Sequence, residues 1–269
     1  MDWARAKNIL IALLAALNLI LAAAIATRSA GDGIDGSFYV SVERILSDRG
    51  VRVLCAFPKQ DMDSVLLVYG DGARFVGNCA NALSGGANTL AGDGARVEMS
   101  GREGLVYENA APEERLNTSS IAELDADIRQ ALKDRGVDIA RFTTDYAEET
   151  GDGGFALRYI LDFRGNMVFD SRVDVTVNGE GGITRIAINY REIKAVSQDR
   201  RSEVIPAYQV LLKNYYGEGP AISSIDIGFK GRDRARDNPF AESEEGAVWR
   251  VRQEDGTERF FESAYGDEI

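Results

Sequence analysis

Histidine is missing from all 269 positions of the chain. Its absence excludes Ser-His-Asp and Cys-His catalysis, histidine-ligated zinc and a phosphoaccepting histidine in this chain. Base is also scarce: 31 Lys and Arg stand against 43 Asp and Glu, giving a net charge of −12 and a pI near 4.7. Nucleic-acid binding and a broad footprint on anionic lipid both need clustered Lys and Arg, so neither is expected. The chain lacks G-x-S-x-G, a P-loop, H-E-x-x-H and C-x-x-C. Close carboxylates such as Asp61 and Asp63 arise by chance among so many acids. The acidic stretch 28–36 lacks the D-x-[DN]-x-[DN]-G order of a calcium loop. The expectation is a non-enzyme with no metal and no cofactor.

What the chain does have is an apolar run over residues 9–26, in which only Asn18 is strongly polar. At 1.5 Å rise per residue it just spans a hydrocarbon core of about 30 Å as one helix. Arg5 and Lys7 precede it and mark the cytoplasmic side, with Trp3 suited to the headgroup belt. Residues 1–27 are therefore expected to be a cytoplasmic stub and transmembrane anchor, with the rest of the chain extracytoplasmic. The alternative is a cleaved signal peptide, since Ala24-Ile25-Ala26 supplies an A-x-A site. Small residues at Ala12, Ala15 and Ala22 let helix backbones approach, and Asn18 can hydrogen-bond across a helix interface. These four are the candidate partner contacts within the bilayer.

After a Gly- and Asp-rich tether over 28–36, the sequence reads as an α+β body. A helix is expected over 39–49, then strands at 51–57, 64–69, 73–79, 95–99 and 105–108, with Gly70-Asp71-Gly72 as one of the turns. Segment 109–119 carries Pro112 without apolar periodicity and is the expected domain boundary, giving modules over 37–109 and 118–269. Ser120 and Glu123 form a capping box for a second helix with Ile121, Leu124, Ile128 and Leu132 on one stripe. Long strands follow, with Phe155, Leu157, Tyr159, Leu161 and Phe163 on one face and Arg158, Asp162 and Arg164 on the other. A meander over 167–193, a helix over 202–216 and strands at 222–229, 247–253 and 257–264 complete the body. Segment 231–246 reads as a solvated loop of mixed charge. Ile45-Leu46-Ser47-Asp48-Arg49-Gly50-Val51 matches Ala131-Leu132-Lys133-Asp134-Arg135-Gly136-Val137, consistent with duplicated helix-then-sheet modules or with one common helix cap used twice. Cys55 and Cys79 both fall in expected strands, open to a disulfide between neighbouring strands or to two buried thiols.

Met1-Asp2-Trp3-Ala4-Arg5-Ala6-Lys7, leading into Ile9, Leu10 and Leu17-Asn18-Leu19, resembles the start of the YycI family. Ile225-Asp226-Ile227-Gly228-Phe229, Ala247-Val248-Trp249-Arg250-Val251, Phe260-Phe261 and Ala264-Tyr265-Gly266 resemble that family's closing strands. The family comprises membrane-anchored accessory proteins of the YycG (WalK) sensor histidine kinase in the YycFG (WalRK) two-component system. The resemblance implies two related α+β modules similar to domains of the companion YycH, an uncleaved anchor that contacts the kinase, and no catalytic residues. The rival expectations are an exported ligand-binding or protease-inhibitory module of propeptide type and, behind it, an enzyme acting on cell-wall polymer.

Overall fold

The computed structural model describes residues 36–58, 65–70, 72–84, 94–198, 204–231 and 243–269. The expected anchor, with Trp3, Arg5, Lys7, Ala12, Ala15, Asn18 and Ala22, lies outside the described residues. Among the described residues no helix is long and apolar enough to cross a membrane. The chain divides into two units, Met1–Val53 with Tyr216–Gly219 and Leu54–Tyr215 with Pro220–Ile269.

The first unit holds α1 (Gly36–Asp48), which buries Val42 and Leu46 on one stripe. It ends in a Schellman cap: Val51 N–H donates to Leu46 O at 2.9 Å and Gly50 N–H to Ser47 O at 2.9 Å, with Gly50 at φ 82°. The second unit makes the same cap on α3 (Ile121–Asp134), where Val137 N–H donates to Leu132 O at 2.8 Å and Gly136 N–H to Lys133 O at 2.9 Å, at φ 81°. In both caps the leucine and the valine are buried. The repeated Asp-Arg-Gly-Val forms the same cap in both places: the glycine adopts the left-handed conformation and the valine follows it into buried packing.

The remaining elements of the second unit are β1 (Val65–Gly70), α2 (Ala73–Leu83), β2 (Ala95–Ser100), β3 (Gly104–Asn109), β4 (Phe142–Glu149), β5 (Phe155–Phe163), β6 (Asn166–Val177), β7 (Ile183–Asn189), β8 (Glu192–Gln198), α4 (Ala207–Asn214), β9 (Ile222–Phe229), β10 (Ser243–Glu245), β11 (Ala247–Gln253) and β12 (Glu258–Glu262). The class is α+β. Among the described residues nine strands form one sheet, ordered β12-β11-β9-β6-β7-β3-β2, with β5 also on β6 and β4 on β5. Segment 110–120 leads from β3 into α3. All pairings in it are antiparallel except β6 with β9, where Met167 and Val168 lie beside Gly228 and Phe229. A second sheet runs β10-β1-β8.

Strand β6 is where the large sheet branches. Against β5 its register jumps from Ile160↔Arg172 to Leu161↔Val168, so Phe169, Asp170 and Ser171 bulge out of the ladder. Before the bulge its free side takes β9; after it, β7. The face bearing Leu157, Tyr159, Val173, Val175, Ile186 and Ile188 packs with α2 and α3, which bury Val76, Cys79 and Leu83 and Leu124, Ile128 and Leu132. Each such aliphatic side chain stabilises by about 1.5–3 kcal/mol.

Several expectations change. Residues 73–79 are the start of α2 and not a strand, because the buried positions Val76, Cys79 and Leu83 follow the helical spacing of three and four. Over so short a window, Phe75, Gly77 and Cys79 also fit the two-residue period. Residues 51–57 contain only a bridge at Val53. The expected strand over 184–193 breaks at Tyr190 and Arg191, and its two halves enter different sheets. Pro206 caps α4 in extended geometry (φ −60°, ψ 146°), so that helix starts later than expected. Ser243–Glu245 pairs with β1, so part of the expected loop is strand β10. Strand β4 was not legible at all.

Candidate functional site

Trp249 and Val251 of β11 point to a buried side where the Trp249 indole N–H donates to Ile205 O at 2.9 Å. Val248, Arg250 and Arg252 alternate onto the opposite face. There Val248 clusters with Ile160 of β5 and Phe169 of β6. The β9-β11-β12 branch therefore curls back over the β4-β5-β6 branch, and the space between them holds a network of ions.

Arg250, only 2% exposed at its side chain, is its centre. Its Nη2 donates to Asp145 Oδ1 at 2.6 Å and its Nη1 to Asp145 Oδ2 at 2.9 Å. Nη2 also donates to Asp226 Oδ2 at 2.8 Å, and Nε to the same oxygen at 3.3 Å. Arg252 donates to Asp145 and, from Nε, to Glu258 Oε1 at 3.1 Å. Glu258 reaches Arg158 at 3.3 Å, and Arg158 donates to Asp174 at 2.6 Å. Aromatic rings cover the cations: Arg250 Cζ lies 4.6 Å from the Phe169 ring centre, and Arg158 and Arg252 lie 4.8 and 5.1 Å from Tyr146.

Backbone geometry sets this arrangement. Asp145 is the extra residue of a β-bulge in β4, between Thr144↔Tyr159 and Tyr146↔Arg158. Arg250 lies directly across from Asp226, and Arg252 across from Glu258. Burial alone would push the Asp145 carboxyl up, but the hydrogen bonds and charges of Arg250 and then Arg252 outweigh it and hold it below the usual range. The network braces the two branches with carboxylates that are already engaged.

A second polar cluster sits at the β6 bulge. Asp170 accepts from Gly231 N–H, and its Oδ2 is 3.8 Å from Arg191 Nη1. Ser171, fully buried, accepts from Arg191 N–H at 3.1 Å and donates to Arg191 O at 3.2 Å. Arg191 Cζ lies 4.9 Å from the ring centre of Tyr69, which is fully buried on β1. Burial pushes the Asp170 carboxyl up to about 6, against the Gly231 N–H and the charges of Lys230, Arg191 and Arg172. It is the carboxyl here that changes charge nearest neutrality.

The two cysteines stay apart as free thiols. Neither lies in a strand, where both were expected: Cys79 faces the core from α2 and Cys55 lies in irregular chain. Burial raises both thiols, Cys79 to about 11. Sequence reading missed Asp145 and Asp170, since each depends on a bulge. The Arg250-x-Arg252 alternation facing Glu258 across the Glu254-Asp255-Gly256 turn was a usable signal for the rest. Among the described residues no cluster of three or more His, Cys, Asp or Glu side chains is arranged to hold a metal.

No family model matches the chain, and no curated protein matches it. Among solved structures, an uncharacterised protein from Eubacterium rectale ATCC 33656 aligns with a TM-score of 0.45 at 10% identity, over 77% of this chain and 86% of that one. The C-terminal domain of YpeB from Bacillus megaterium aligns with a TM-score of 0.36 at 10% identity, over 74% of this chain and 96% of that one.

Proposed function

We propose that the chain is a non-catalytic, single-pass accessory protein that regulates a membrane sensor histidine kinase of the YycG (WalK) type, together with a YycH-like companion. The N-terminus is cytoplasmic and the α+β body extracytoplasmic. The observation that carries this reading is the apolar run over 9–26 with Trp3, Arg5 and Lys7 before it, in a chain whose start and end both resemble the YycI family. The residues of the C-terminal resemblance are neighbours in space: 225–229, 247–251 and 260–261 lie on β9, β11 and β12, adjacent strands of one branch.

The anchor acts by side-by-side packing, with Asn18 as the main contact and Ala12, Ala15 and Ala22 allowing close approach; an interhelical hydrogen bond contributes on the order of 1 kcal/mol. The protein alters kinase output by binding one signalling state better than the other. The test compares kinase-dependent transcription and co-purification for Asn18→Leu and for a chain with residues 8–26 exchanged for an unrelated anchor. Loss of association in both supports the reading. Unchanged output and association in both sink the intramembrane route. A mature N-terminus at Thr27 removes the anchor and turns the reading to the exported binding or inhibitory module.

A further inference from the structure

Strand β2 is an edge of the nine-stranded sheet and pairs only with β3 among the described strands. Ala110 N–H donates to Gly94 O just beyond the ladder. Hydrogen-bonded pairs alternate along an antiparallel ladder, so Arg96/Glu108, Glu98/Val106 and Ser100/Gly104 bond to one another. Ala95, Val97 and Met99 consequently turn their N–H and C=O groups to the open edge.

That edge is self-complementary. In the sequence Ala95-Arg96-Val97-Glu98-Met99-Ser100, opposite charges flank Val97, and both side chains are well exposed (63% and 64%). We propose that β2 pairs with β2 of a second copy of this chain, antiparallel about a two-fold axis at Val97. Val97 then exchanges both hydrogen bonds with its counterpart, and Ala95 does so with Met99. Arg96 faces Glu98 of the second copy, and Glu98 faces its Arg96, at the non-hydrogen-bonded positions where side chains come closest. Each charge now held within its own strand at 2.9 Å gains a partner across the axis. Centring the axis on Met99 would instead set Arg96 against Arg102, so the charges select one register.

An edge this short buries less than the roughly 1,200–2,000 Å² of a stable interface, so the contact is weak between free copies. Confinement in a membrane raises the effective concentration and populates it; this step rests on the anchor proposed above. The pairing itself rests only on β2.

The test uses full-length chains in vesicles of neutral phospholipid. Differently tagged R96C and E98C chains, reconstituted together and oxidised, should give several-fold more mixed disulfide dimer than R96C alone or the parent chain with its native cysteines. R96E, which sets Glu against Glu98, should weaken association measured by energy transfer about tenfold, and R96E/E98R should restore it. Trapping no greater in the mixture than in R96C alone would overturn the proposal, as would a double variant no better than R96E. Flotation of the same vesicles reads the anchor separately. Chains that fail to float refute anchoring, and concentrating them in solution then reads the β2 contact by the same trapping.

Discussion

Asp145 and Arg250, 105 residues apart in sequence, meet in a two-pronged ion pair although their strands share no backbone ladder. Both side chains are at most 3% exposed. Removing either partner therefore leaves a charge that water cannot reach. Asp145→Ala is expected to lower unfolding stability by about 3–5 kcal/mol in denaturant titration, little affected by salt. A loss below about 1 kcal/mol would mean the network is hydrated and braces nothing.

Asp170 gives stability a pH signature opposite to that of Asp145. Its folded pKa, about 6, lies above its ordinary value of 3.8, so the folded state holds the proton more tightly than the unfolded state. Its contribution is full below about 4, falls as pH rises to about 6, and is flat above. Asp145, held below 3.8, contributes above that value and loses its contribution as pH falls further. Asp170→Asn should remove a decline of up to about 3 kcal/mol between pH 4 and 6, read as the change in denaturant midpoint with pH. An unchanged slope in that window would contradict the placement of Asp170.

Glycine substitutions check that residues 73–83 are helical. Gly77 lies inside α2, and an added Cβ meets nothing within 4 Å, so Gly77→Ala should stabilise by up to about 1 kcal/mol. At Gly72 the same atom would collide with the backbone oxygen of Tyr190, which forces backbone apart. Gly72→Ala should cost at least about 1–3 kcal/mol by overpacking. Equal effects at the two sites in thermal unfolding would restore the strand reading.

Both thiols should alkylate without reductant. Cys55, half-buried, should react in the folded protein, and Cys79, at 2% exposure and raised to about 11, only after denaturant. Mass measurement of non-reduced, denatured protein should show two adducts; none would mean a disulfide.

The sequence made some elements readable and hid others for physical reasons. Ser120 caps α3 as expected, its Oγ accepting from Glu123 N–H at 3.2 Å, and the long alternation of β5 placed its core face correctly. Such signals are local, repeated over many residues, and reinforced by turns such as Arg164-Gly165, both at positive φ. Strand β4 was invisible because its burial alternates poorly and the Asp145 bulge shifts its phase. Arg158 lies on the face of β5 opposite the apolar residues, yet its side chain is only 16% exposed. The curl that buries it depends on which strand lies beside β6 on either side of Phe169, Asp170 and Ser171, a decision made by chain segments far away in sequence. The β2 edge was legible as a strand, but its open hydrogen-bonding side required the register with β3.

The separation between Asp145 and Arg250 also sets an order in time. Long-range pairings must overcome loop-closure entropy before they stabilise anything, which slows folding. At about 5–20 residues per second, synthesis takes roughly 5–20 s to pass from Asp145 to Arg250. For that interval β4 and β5 exist without the branch that covers their polar face, and β1 waits still longer in sequence for β10 than β4 does for β11. A chain stopped before β11 keeps Asp145 with neither of its guanidinium partners. Strands β9, β11 and β12 are thus made after the branch they cover, and a stop before β11 would leave the polar face of β4 and β5 without its cover.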